Sequence, residues 1–478
     1  MATKTIAPTA EADGTFGTSL DDALLGNGLV TVLLAGSDNP ELFHFTTPGQ
    51  GKKFQVGPGG LRLRAVPNSS VAPPIIKRPA DPPIVTDDNY GLFFEPQPPT
   101  SEEIAAATWK LFTPPDPDKP PFEFDVIMRG SVSVRGIVFD CNMQNQEGIE
   151  DFNDTQIDQS AMLSFAGMTA KNVGENADGV ARRIYVGFNS VTVRDCVLLN
   201  GGYTPDLSIP HADFYPHIDR VTLRDITSQR FKDHKRAAVE LSGYPRHVTM
   251  RDLNVESIRA EVGANLRNRP RKDDEFVRSE WQINHVIAPK CNFSAGGDVF
   301  ELNGQNLQCD ISFKIPKDGR GTIRNSRLAV APGNDNKFSR MHDFLFRNVE
   351  WHLKPNDMNI VNGIVPIGSP GCTIRFEENS FVIDGDTPGP TGQLFGTQSF
   401  NESAGSSMDI RFRNCVFPDQ FGHPGEPPIA RINAIGVWRF RKADLGDRPA
   451  ESAIIVNESN GQLTESGAQV VATINAPP

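Results

Sequence analysis

Two acidic residues stand at equal distances before a repeated cassette. The cassette reads apolar, any residue, apolar, Arg, then Asp or Asn, as in Val221-Thr-Leu-Arg224-Asp and Val248-Thr-Met-Arg251-Asp. Counting back eight positions from Val221 and Val248 gives Asp213 and Glu240; from Val286, the next equivalent, it gives Arg278. If cassettes stack, Asp213 and Glu240 become neighbours one strand spacing apart. Two carboxylates that close diverge in proton affinity, so one can act as acid and the other as base or nucleophile. The spacing is nearer the retaining than the inverting geometry of glycoside hydrolysis. The structural alternative is an exposed charged ladder balanced by Arg278.

The elements that must position these residues are written into the same cassette. It recurs as Val132-Ser-Val-Arg135-Gly, Val191-Thr-Val-Arg194-Asp, Gly321-Thr-Ile-Arg324-Asn, Phe344-Leu-Phe-Arg347-Asn, Cys372-Thr-Ile-Arg375-Phe and Ile410-Arg-Phe-Arg413-Asn. Alternation of this kind is a strand with one apolar face. The intervals 191 to 221 to 248 suit one turn of a stacked coil, which predicts an all-β solenoid. The Arg residues would then form a column. Rungs ~4.8 Å apart bring like charges into a repulsion of about 1 kcal/mol even in water, so the column needs counter-charges or an anionic ligand.

The chain has 478 residues and a net charge of -12, with a pI near 5.3, which speaks against non-specific nucleic-acid binding. Its six cysteines show no CxxC spacing, so they read as free thiols packed in the stack rather than zinc ligands. No apolar run is long enough to span a membrane. The start, Met-Ala-Thr-Lys-Thr-Ile-Ala-Pro, shows no signal peptide. Thirty Phe against four Trp and five Tyr suggest Phe stacked inside the coils.

Residues 1–60 read as an N-terminal cap with first strands: a helix from Thr18 to Gly28, a strand from Val30 to Ala35, and an early rung at Gly60–Ala65. Residues 61–440 read as the solenoid. Its proline-crowded stretch, 67–121, reads as a loop excursion walling the stack. Inside it, Thr100-Ser-Glu-Glu103 is a capping box before helical residues 104–112. Residues 143–160, 168–184 and 259–275 read as loops, and 441–478 as a cap or tail without the repeat.

The repeated Val-Thr-Ile-Arg-Asn-like string resembles the pectin-lyase-like right-handed parallel β-helix superfamily, over about residues 20–440. That resemblance implies three strands per coil, the cassette being the second strand and its tight turn. Asp195, Asp225, Asp252, Asn325, Asn348 and Asn414 would stack in that turn. Ala161–Gly167, Ala237–Gly243 and Asp298–Gly304 would be first strands, along which many members bind glycan.

The superfamily includes polysaccharide lyases, polygalacturonase-like hydrolases and phage tailspikes. In the hydrolase branch a catalytic Asp pair precedes the first strand; here Asp233 stands alone within Lys232-Asp-His-Lys-Arg236. That cationic cluster suits a lyase, with His234 or Lys232 as base and Arg236 neutralising a uronate carboxylate. A solvated charged turn is the structural alternative. His211, His217, Tyr215, Tyr244, Trp281 and Trp109 are candidate contacts or sugar platforms. No cofactor is expected; calcium-assisted members use clustered acids, which Asp213, Glu240 and Asp233 could supply.

The expectation is therefore a carbohydrate-active protein that binds and cleaves an acidic polysaccharide, extracellular or on a virion surface. The rivals are a tailspike-like glycan-binding virion protein, which would be a homotrimer, and a noncatalytic surface or scaffold solenoid.

Overall fold

A computed structural model describes residues 27–36, 52–67, 72–77, 92–113, 120–140, 163–166 and 168–199, together with the further segments named below. The chain divides into two compact units. The first is Met1–Thr249 with Leu253–Ala264 and Arg271–Val277; the second is Met250–Asp252 with Asn265–Pro270 and Arg278–Pro478. Both are built almost wholly of strands in curled parallel sheet.

In the first unit three parallel ladders are visited in rotation. One runs through Ala2–Ile6, Val30–Leu34, Leu61–Ala65, Val132–Arg135 and residues 190–194. The next runs through Phe43–His44, Ile75–Lys77, Val138–Asp140 and 197–199. The third runs through Lys52–Val56, Leu92–Pro96, Leu163–Ala166, Asp206–Ile209 and Ala237–Gly243. Alternation decides the faces: Val132 and Val134 are fully buried while Arg135 is exposed. Phe54, Phe94 and Phe165 lie on successive rungs with neighbouring ring centroids 5.7 Å apart, the second pair stacked. Leu20 and Leu24 are helical and buried; the rest of the expected N-terminal helix lies outside the described residues.

The proline-rich stretch is not one excursion. Ile75–Lys77 and Leu92–Pro96 are rungs within it. What leaves the ladders is a four-stranded side sheet of Lys110–Phe112, Phe122–Arg129, Met168–Glu175 and Ala181–Phe188. Residues 168–184, expected as a loop, thus supply two of its strands. The helix is short, Ser101–Ala105, and its Thr100 capping box forms as expected. Residues 110–112 are strand rather than helix because they pair with 122–124. Buried Arg129 ties this helix to the sheet through Glu103, at 2.5 and 3.0 Å, whose carboxyl is held down at about 2 chiefly by those bonds.

In the second unit one ladder joins residues 281–284, 302–305, 321–324, 344–347, 374–377 and 410–413. A second joins 286–288, 307–309, 326–329, 349–352 and 380–383. Ile454–Asn457 and Val470–Thr473 add parallel strands from the tail, which was expected to lose the repeat. Phe346 stacks on Phe376 and Trp351 on Phe381 inside.

Candidate functional site

Eight expected site residues, His211, Asp213, Lys232, Asp233, His234, Arg236, Tyr244 and Arg278, lie outside the described residues. Glu240 is in Ala237–Gly243, and the residue opposite it on the neighbouring rung is Asp206, not Asp213. An acid pair at one register position therefore exists with a different first member. Counting eight residues back assumed a constant turn, but Ile209 to Val221 spans more residues than Gly243 to Val248. Tyr215 opens a strand opposite Ser190. Trp281 is 1% exposed and packs in the core, so it offers no sugar platform. Trp109 is covered by Arg182, whose Cζ sits 4.8 Å over its ring.

The two ladders of the second unit meet at a corner made by one residue. His285, Asn306, Asn325, Asn348 and Glu378 each take φ between 49° and 57°. Asn tolerates this left-handed conformation better than most residues do. One such residue lets its predecessor and itself both face solvent, then sends the next side chain inward. That is why Arg324 and Asn325 are both exposed while Ser326 is buried. In the first unit the corner falls on Gly136 and Asp195.

The inward residue after the corner often closes the backbone behind it. Ser326 Oγ donates to the Arg324 carbonyl at 2.7 Å, and Cys196 Sγ lies 3.1 Å from that of Arg194. Asn379 Nδ2 donates to the carbonyls of Glu377 and Phe346, both at 2.8 Å, while its Oδ1 accepts from Trp351 Nε1. Cys415 Sγ lies 3.3 Å from the Phe376 carbonyl. Burial pushes both thiols up to about 11, so Cys196 and Cys415 are structural donors rather than nucleophiles.

Outside this corner lies a trough of about 450 Å³. One wall is amide: Asn348 Nδ2 donates to Asn325 Oδ1 at 2.9 Å, and Asn306 Nδ2 to Asn284 Oδ1 at 3.1 Å. The other wall carries Gln308, Arg327 and Glu350. Arg327 Nε lies 2.6 Å from His352 Nε2 and 3.2 Å from Glu350 Oε1, and the same imidazole nitrogen is 2.6 Å from Glu350 Oε1. One ring nitrogen cannot both accept from Arg327 and donate to Glu350, so the tautomer selects its partner. Sequence reading missed Arg327, Glu350 and His352; their signal was position, two and four residues past a corner Asn.

The Arg column is partly as expected. Arg64, Arg135 and Arg194 are rung neighbours, as are Arg324 and Arg347. Arg224, however, faces Leu199, and Arg375 faces Leu345. Counter-charges are present: Asp195 Oδ2 lies 2.9 Å from Arg135 and 3.6 Å from Arg194, and Glu377 and Glu378 flank Arg347. Among the described residues no group of three or more His, Cys, Asp or Glu could hold a metal ion, and no helix is long and apolar enough to cross a membrane. Comparison with protein-family models, curated proteins and solved structures returned no match to this chain.

Proposed function

We propose that this chain is a right-handed parallel β-helix of the pectin-lyase-like kind that binds and cleaves an acidic polysaccharide. Three ladders visited in rotation and a one-residue corner support the architecture. The observation that carries the function is the register of Asp206 against Glu240. Adjacent strands lie ~4.8 Å apart, and two carboxyl groups held at ~5–5.5 Å would have the separation used by retaining glycosidases. At such a separation one carboxyl would serve as acid and the other as base or nucleophile. Lys232, His234 and Arg236 precede the Glu240 strand in sequence; Arg236 would neutralise a uronate carboxylate, and His234 or Lys232 would act as base in an elimination.

The test is cleavage of a uronate-polymer panel by wild type, Glu240→Gln and Asp206→Asn. Loss of at least a hundredfold in both variants is expected, with unsaturated products marking elimination and saturated reducing ends marking hydrolysis. Full activity in both would reject the pair. Retention of polymer with no product from wild type would favour the tailspike-like reading.

A further inference from the structure

We infer that the trough along the asparagine corner of the second unit is a separate binding track for an extended acidic glycan. It goes beyond the acid pair, lies within one unit, and requires no bond cleavage. The argument begins with spacing. Asn306, Asn325 and Asn348 occupy equivalent positions on successive rungs, so their amides repeat every ~4.8 Å. A linear array of identical polar groups is matched by a polymer with a similar repeat. An extended peptide advances ~3.3–3.4 Å per residue, so it does not set one residue against each rung. A nucleic acid is disfavoured by the net charge of -12. A pyranose unit in a stretched glycan advances by nearly one rung and offers a hydroxyl at each step.

The amides have capacity to spare. Each carries two N–H donors and a carbonyl oxygen. The link from Asn348 to Asn325 uses one N–H, and so does the link from Asn306 to Asn284. Among the described residues no further bond takes the second N–H or the carbonyl of Asn348 and Asn306, which would serve sugar hydroxyls. Bidentate hydroxyl recognition by such planar amides needs no aromatic platform, in keeping with a chain poor in Trp and Tyr.

Charge sets the class of glycan. Arg327 stands in the wall opposite the amides with its side chain 55% exposed. Arg324, just before Asn325, is exposed and makes no ion pair among the described residues. Two guanidiniums three residues apart on either side of one corner amide suit a carboxylate on the sugar beside it. Where the glycan carboxylate takes Arg327, His352 and Glu350 are left to pair with each other, so the wall loses no partner.

The experiment uses the full chain, with galacturonate hexamer as probe and galactose hexamer as its neutral counterpart. A galacturonate hexamer with a photoreactive end should label peptides within 306–352, and should bind at least tenfold tighter than the galactose hexamer. Arg327→Met and the double change Asn325→Gly with Asn348→Gly should each weaken binding at least tenfold. Glycine keeps the left-handed corner while removing the amide, and a cooperative unfolding transition with wild-type far-UV circular dichroism would show that the corner persists. Labelling only elsewhere, equal affinity for the neutral hexamer, or affinities within twofold of wild type in both variants would each overturn the assignment. If the wild type cleaves nothing but labels 306–352, the acid-pair reading fails and this one stands.

Discussion

The same one-residue corner is built from different chemistry in the two units. In the first, Asp195 turns the chain and its carboxylate draws in Arg135 and Arg194. In the second, Asn325 and Asn348 turn it and bind each other through their amides. In the charged corner one acid lies 2.9 Å from Arg135 and 3.6 Å from Arg194 on neighbouring rungs. In the amide corner an Asn–Asn link consumes a fraction of each group's hydrogen-bonding capacity. The first arrangement pairs charge with charge across rungs, and the second leaves amide hydrogen-bonding groups over.

The sharpest way to break the amide corner is from inside. Asn379→Leu would strand the Trp351 indole N–H and the carbonyls of Glu377 and Phe346 in the core, at about 3–5 kcal/mol on chemical denaturation. A smaller loss, about 1–2 kcal/mol, is expected for Asn348→Asp, which sets a carboxylate against the Asn325 carbonyl oxygen and removes the donor between them. The converse swap, Asp195→Asn, should cost about 0.5–1 kcal/mol, since its Arg partners are 55% and 40% exposed and already largely screened. Raised salt should shrink both differences, since each substitution changes a charge at a solvent-accessible corner.

Acid titration separates charge from amide closure elsewhere in the first unit. The Glu103 carboxyl is depressed from 4.5 to about 2. Its contribution to stability is therefore complete above about pH 4.5 and is lost as pH falls toward 2. Glu103→Gln should flatten that part of the stability curve. The smallest effect expected is at Cys196, whose thiol is raised to about 11 by burial. Alkylation at pH 8 in the native state should be slow, and should accelerate on unfolding.

Strand alternation and the corner were legible in sequence because both are local. Val132-Ser-Val-Arg135 could only bury its valines, and Asp195, Asn325 and Asn348 are residue types that accept positive φ. Asp225 and Asn414, assigned to the same turn, lie outside the described residues. Register was not local. An alternating cassette satisfies the ladder before the corner or the one after it, and a shift by two residues leaves every face unchanged. That is how Arg224 came to oppose Leu199, and Arg375 to oppose Leu345 rather than Arg347. The acid pair suffered likewise, since loop length rather than cassette phase sets which residue meets Glu240. The Arg327, Glu350 and His352 cluster was invisible because its members come from two rungs and gain meaning only once 327 opposes 350.

The inward donors after the corner bear on how such a chain could grow or shrink. Val349 and Val286 fill that position with plain hydrocarbon, so at that position those rungs meet their neighbours by packing alone. Asn379 instead reaches down to the Phe346 carbonyl, and Ser326 accepts the Leu307 amide. A hydrocarbon at that position fits any apolar neighbour, whereas Ser326 and Asn379 are each matched to one particular preceding strand. Length variation in this architecture should accordingly cluster where such matched bonds are absent.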